Sequence, residues 1–114
     1  VDLASYANLL QWKKAQGGCA VTVAGAQVTI ATTTESLSLI TSKAARLQQP
    51  NPPATVQWQT GPSTFVTIAA ADFLALAVAV ADFVQSTFDV LATVLSGIVS
   101  GQVTLFSQVD TAFA

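Results

Sequence analysis

The stretch DFLALAVAVADFVQSTFDVLATVLSGIV, from Asp72 to Val99, constrains this chain more than any other part of it. As a helix it would be about 42 Å long, at about 1.5 Å per residue. A compact chain of 114 residues has a radius of gyration of about 13 Å. The helix therefore outreaches one small core, and something must cover the rest. A membrane is the first option. A span needs about 20 mostly apolar residues, and each Asp at its centre costs about 2.5 to 3.5 kcal/mol. Any window of about that length starting between Asp72 and Val80 holds at least two of Asp72, Asp82 and Asp89. A later window takes in Gly97, Gly101, Gln102 and Gln108, and no Lys, Arg or Trp anchor flanks either end. The sequence argues against a span.

The polar residues of the stretch form a pattern of their own. Asp72, Ala75, Ala79, Asp82, Ser86, Asp89, Thr93, Ser96 and Ser100 are spaced alternately three and four apart. That is one continuous stripe of small or polar residues on a helix. Most of the remaining circumference is large and apolar, so the pattern predicts a narrow solvent seam and a wide covered face. The uncovered remainder would exceed the apolar patch a soluble monomer tolerates. The leading interface candidates on that face are Phe73, Leu76, Val80, Phe83, Val90 and Val94. The expectation is that the helix packs against copies of itself or a partner protein.

Composition bounds the rest. Hydrophobic residues are 52% and charged residues 9%, against about 25% charged in an average globular protein. A chain this apolar is not disordered. The net charge of −2 argues against nucleic acid, whose binders cluster Lys and Arg. All four bases, Lys13, Lys14, Lys43 and Arg46, precede residue 47, and every charge after that is an Asp. Such a dipole suits head-to-tail docking of copies or neighbours. The chain begins at Val1 and contains no Met, which suggests a removed start or a piece of a longer protein. The first ten residues lack the basic leader of a signal peptide.

Punctuation along the chain predicts an α+β fold: helix, β-hairpin, helix, β-hairpin, long helix, short C-terminal helix. Asp2 caps a helix over residues 3–16 that stops at Gly17-Gly18, with Leu3, Tyr6, Leu9, Leu10 and Lys13 along one face. Val21-Thr22-Val23 and Val28-Thr29-Ile30 flank a turn at Ala24-Gly25-Ala26. Thr32 and Glu35 fit a capping box for a helix reaching about Gln48, with Leu37, Ile40, Ala44 and Leu47 as its stripe. The prolines of QQPNPP end it. Val56 and Trp58, a turn at Gly61-Pro62-Ser63, and Phe65, Val66 and Ile68 make the second hairpin. The long helix runs from Ala69 or Ala70 to Ser96 or Ser100, and a short helix follows over 104–113. One domain over 1–114 is expected, with a compact head at about 1–68 and the two last helices at about 69–114.

Catalytic chemistry is missing. There is no His, no P-loop, no GxGxxG, no HExxH and no CxxC. One Cys without His builds no zinc site, and Cys19 reads as a structural thiol. Asp82 and Asp89 lie about 10 Å apart along a helix, at the outer limit for paired glycosidase carboxylates. The chain is expected to be no enzyme and to carry no catalytic residue, metal or cofactor.

The ordered set GGCAVTVAGAQVTIATTTES, VQWQTGPSTFVTI and AAADFLALAVAVADFVQSTFDVLATVLSGI resembles an uncharacterised domain family of tailed bacteriophages and prophages, associated with tail-fibre and other tail proteins. Gly18, Val21, Val23, Gly25, Val28, Thr32, Ser36, Trp58, Phe65, Val66, Ala77, Val80, Val84, Gln85 and Phe88 carry the resemblance, which covers about residues 6 to 98. The chain departs from the family's pattern at Ala69 and Phe83. The resemblance implies a structural virion protein: a tail-fibre, hinge or baseplate adaptor domain. It would be made in the host cytoplasm and assembled with copies of itself and other tail proteins, without nucleic acid or a membrane span. An assembly chaperone that leaves before the particle is complete is the alternative. A third reading is a membrane-active or secreted bacterial protein.

Overall fold

A computed structural model describes residues 2–114. The fold is α+β, in the expected order: α1 Leu3–Gln16, β1 Cys19–Val23, β2 Ala26–Ile30, α2 Thr34–Leu47, β3 Thr55–Gly61, β4 Thr64–Ala69, α3 Ala70–Ser100 and α4 Phe106–Ala112. Each strand pair is its own two-stranded antiparallel sheet.

Local chemistry sets the boundaries. The Asp2 carboxylate accepts the Ser5 N–H at 2.7 Å, an N-cap that holds the Asp2 carboxyl below its ordinary range. Between β1 and β2 the loop is two residues, since Val23 pairs with Ala26. Ala24 and Gly25 both have positive φ, 50° and 83°, the requirement of a type I′ turn that matches strand twist. Ala26, expected in the turn, opens β2 instead. Val21 stands opposite Val28 and Cys19 opposite Ile30, with Thr22 and Thr29 exposed.

The cap of α2 corrects the expected capping box. Thr33 is the N-cap, its hydroxyl accepting the Ser36 N–H at 3.2 Å. Thr32 is wholly buried and accepts the Gly18 N–H at 2.9 Å. A buried backbone donor needs a partner, and Thr32 is committed to that role at the base of the first hairpin. In the second hairpin Val56, Trp58 and Ile68 are buried, and one irregularity lies between Gln59 and Gly61.

The chain divides into two compact units. The hairpin unit comprises residues 17–82, and the terminal unit residues 2–16 with 83–114. The expected head at 1–68 is thus redrawn: α1 belongs with α4 and the later part of α3. The hairpin unit packs Ile30, Ile40, Trp58, Ile68, Phe73, Leu76 and Val80 into one core. Trp58 and Phe73 meet with ring centroids 5.7 Å apart. The terminal unit has a smaller core around Ala7, Leu91, Val94, Val109 and Phe113.

The α1 face also rotates from its expected place. Ala7, Gln11 and Ala15 are the buried residues, while Leu9 and Trp12 are exposed. Small side chains at four-residue spacing allow close approach of the neighbouring helix. Gln11 is tolerated there because its amide donates to the Thr87 hydroxyl at 2.9 Å, and Thr87 in turn donates to the Val84 carbonyl at 2.7 Å.

The end of α3 is a Schellman motif. Gly101, at φ 81°, donates to the Ile98 carbonyl, and Gln102 donates to that of Gly97. Val103 then folds back: a Cβ on Gly97 would lie 2.7 Å from Val103 Cγ2. Alanine at 97 gains at most about 1 kcal/mol of helix propensity, whereas overpacking costs about 1 to 3 kcal/mol. Gly97→Ala is therefore expected to lower stability by about 1 kcal/mol in urea denaturation. Gly97→Ala with Val103→Ala should remove the clash and show no additional loss from the Gly97 change. α4 starts two residues later than expected because Gln108 occupies the approach to it. Its side-chain oxygen accepts the N–H groups of Thr104 and Leu105 at 2.8 and 2.9 Å.

Candidate assembly surface

The six expected interface residues do not form a free surface. Phe73, Leu76 and Val80 are buried together in the hairpin unit's core. Val94 is buried in the terminal unit's core, and half-buried Val90 packs against it. Phe83 is half-buried. Phe73, Leu76, Val80, Val90 and Val94 are covered by the chain's own elements: the hairpins and α2 in one unit, α1 and α4 in the other. The choice of those six residues as the uncovered face is corrected accordingly.

The polar stripe does meet solvent. Asp72, Ala75, Asp82, Ser86, Asp89, Thr93, Ser96 and Ser100 are exposed, and Ala79 is half-buried. Yet the exposed side of α3 is broader than that stripe. A second line lies beside it: Val78, Ala81, Gln85, Phe88, Ala92, Leu95 and Val99, again alternately three and four apart. All but half-buried Leu95 are exposed, with Val78 at 61%, Phe88 at 49% and Val99 at 89%. Alternating three-four spacing is what a helix needs to keep one seam against another helix. The spacing of this line is present in the sequence, but only the covered side of the helix sets it apart from the other apolar positions.

The terminal unit exposes more apolar surface at Leu9, Trp12, Leu105 and Phe106. Phe106 packs edge-on against Tyr6 at 5.0 Å, and the Tyr6 hydroxyl donates to Asp110. That hydrogen bond raises the Tyr6 pKa above its ordinary value by favouring the protonated phenol, and desolvation and the nearby carboxylate charge act in the same direction. Burial pushes the Cys19 thiol up, away from the reactive thiolate. Among the described residues, no three His, Cys, Asp or Glu gather where they could hold a metal ion.

An all-polar solvent face would suit a self-sufficient pair of cores. Here the solvent face of one long helix carries regularly spaced Val, Ala, Phe and Val, beside a carboxylate stripe, in a protein with few charges. A family model matches residues 2–112, and the chain belongs to that family, described as a domain of unknown function, DUF4376. Neither a curated protein nor a solved structure matches the chain.

Proposed function

We propose that this chain is a structural domain of a bacteriophage tail, in a fibre, hinge or baseplate adaptor, that works by assembling with copies of itself and neighbouring tail proteins. The observation that carries the reading is the exposed line Val78, Phe88 and Val99 on α3. The resemblance of the ordered hairpins and long helix to tail proteins supplies the setting. The domain does its work by burying surface, without catalysis, metal or cofactor.

A lipid partner fits less well. α3 is long and apolar enough to cross a membrane by length and composition, and 22% of its most apolar window is buried. But Asp72, Asp82 and Asp89 all lie on its exposed side, and Asp82 sits near its middle. Carboxylates there are costly in hydrocarbon and harmless at the watered edge of a protein seam.

Native mass spectrometry of the isolated chain tests the assembly. Oligomers are expected at micromolar concentration. Phe88→Asp together with Val99→Asp is expected to weaken association at least tenfold, since burying a Phe or Val side chain contributes about 1.5 to 3 kcal/mol. Both positions are exposed, so helix content should hold. A chain that is monomeric throughout would overturn self-association. Quantifying the chain in purified phage particles tests the setting: a fixed copy number supports a virion part, and absence from finished particles identifies the departing chaperone instead.

A further inference from the structure

The hairpin unit carries a groove that the assembly surface does not use. Two hollows of about 550 and 260 Å³ adjoin each other, sharing Lys43 and Gln57. Together they follow β3 from Thr55 to Gly61, every residue of the strand being on the wall. Successive strand side chains point to opposite faces. A hollow bordered by all of them therefore runs along the backbone edge rather than over one face. Among the described residues β3 pairs with β4 alone, and β2 approaches β3 without pairing to it, so the other edge of β3 has no strand partner there. The opposite wall is α2, through Ser36, Leu39, Lys43 and Arg46.

We infer that this groove binds an extended, acidic peptide segment of a partner protein, which adds to β3 as a further strand. Strand addition draws its affinity from main-chain hydrogen bonds and its selectivity from side-chain pockets beside the edge. At about 3.3 Å per residue, β3 offers room for about seven residues. Charge complementarity selects the occupant. The charged residues on the walls are Lys43 and Arg46, and neither hollow has an acidic residue on its wall. Arg46 donates to the carbonyl oxygens of Asn51 and Pro50 at 3.1 and 3.5 Å, neutral partners that leave its charge uncompensated. Exposed Leu39 and Phe65 supply an apolar seat in the larger hollow. Proteins commonly blunt a free strand edge with Lys, Pro or a covering loop. Lys43, Pro53 and Pro62 flank the hollows rather than sit in β3; outward Gln57 offers its amide to a strand laid alongside, and the Gln59 amide donates to the Pro62 carbonyl at 3.3 Å.

The test uses synthetic peptides and the whole, isotope-labelled chain. One probe is a Thr/Val/Phe nonapeptide ending in Asp-Glu. Its twin ends in Lys-Lys, and a third version carries N-methyl groups at alternate amides. Amide shifts in β3 and fluorescence anisotropy are the readouts. The acidic peptide is expected to move the Thr55–Gly61 amides and to bind at least tenfold more tightly than the Lys-Lys twin. N-methylation should abolish binding, and Lys43→Glu with Arg46→Glu should reverse the preference. Lys43→Gln with Arg46→Gln serves if the double Glu variant loses its circular-dichroism signature; it should equalise the twins. Equal binding of the twins to the native chain, undiminished binding of the methylated peptide, or no movement of β3 amides at millimolar peptide would each overturn the proposal. Tighter binding of a ten-residue oligothymidine would assign the groove to nucleic acid instead. None of these outcomes depends on the oligomeric state or on presence in a particle.

Discussion

Phe73→Ala is expected to destabilise the chain by about 3 to 5 kcal/mol, the range for removing a fully buried aromatic ring. Phe73 is wholly buried and holds Trp58, while Ile30, Ile40, Ile68 and Leu76 share its core. Marginal stability for a domain is about 5 to 15 kcal/mol, so the change consumes a large share of it. The location of the damage matters as much as its size. Hydrogen exchange should show protection lost first across 19–30 and 55–69, the two hairpins. Amides of α1 and α4 should open later, because Val109, Leu91 and Ala7 pack in a separate core. Simultaneous loss of protection in both units would show that α3 couples them into one cooperative whole.

Leu91→Ala is the mirror experiment. Leu91 is buried among Ala7, Val94, Val109 and Phe113, and its truncation is expected to cost about 2 to 5 kcal/mol. This core is the smaller one, and α4 contributes only seven residues to it. The short helix cannot persist without tertiary contacts, since isolated helices below about 12 residues are marginal in water. Its amides should therefore exchange freely in the variant, together with those of α1, while the hairpins keep their protection. Leu91→Met, nearly volume-conserving, should cost under about 1.5 kcal/mol. A similar penalty for Met and Ala would show that the site is sensitive to shape rather than to lost contact.

Elements with strong local punctuation were legible in the sequence. Gly17-Gly18 stops α1, the Val/Thr alternation gives both strands of the first hairpin, and the prolines of residues 50–53 close off α2. What local signals could not reveal was the partner of each face. The leucines of α1 outrank its alanines in hydrophobicity, yet Ala7, Gln11 and Ala15 are the ones buried. Close approach and the Gln11–Thr87 hydrogen bond decide that, across 76 positions of sequence. Thr32 reads as a cap because Glu35 follows it three residues on, but the Gly18 N–H claims its hydroxyl. The six residues chosen as an interface were chosen for being large and apolar on a long helix. The same property makes Phe73, Leu76, Val80 and Val94 core residues once the hairpins, α1 and α4 are folded against it. The residues that remain outside, Val78, Phe88 and Val99, stand out only when the covered side of the helix is known.

The terminal unit is assembled from segments on either side of the hairpin unit in sequence, with Tyr6 bonded to Asp110 across 104 positions. On a ribosome, residues 17–82 can close their own core as they emerge. Helix α1 emerges before the hairpin unit yet must wait for α4, made after that unit, before buried Ala7 finds its full cover. Synthesis order therefore runs counter to assembly order in this unit. The hairpin unit is the part able to fold during translation, and the exposed face of α1 is a point where a nascent copy could engage the wrong chain.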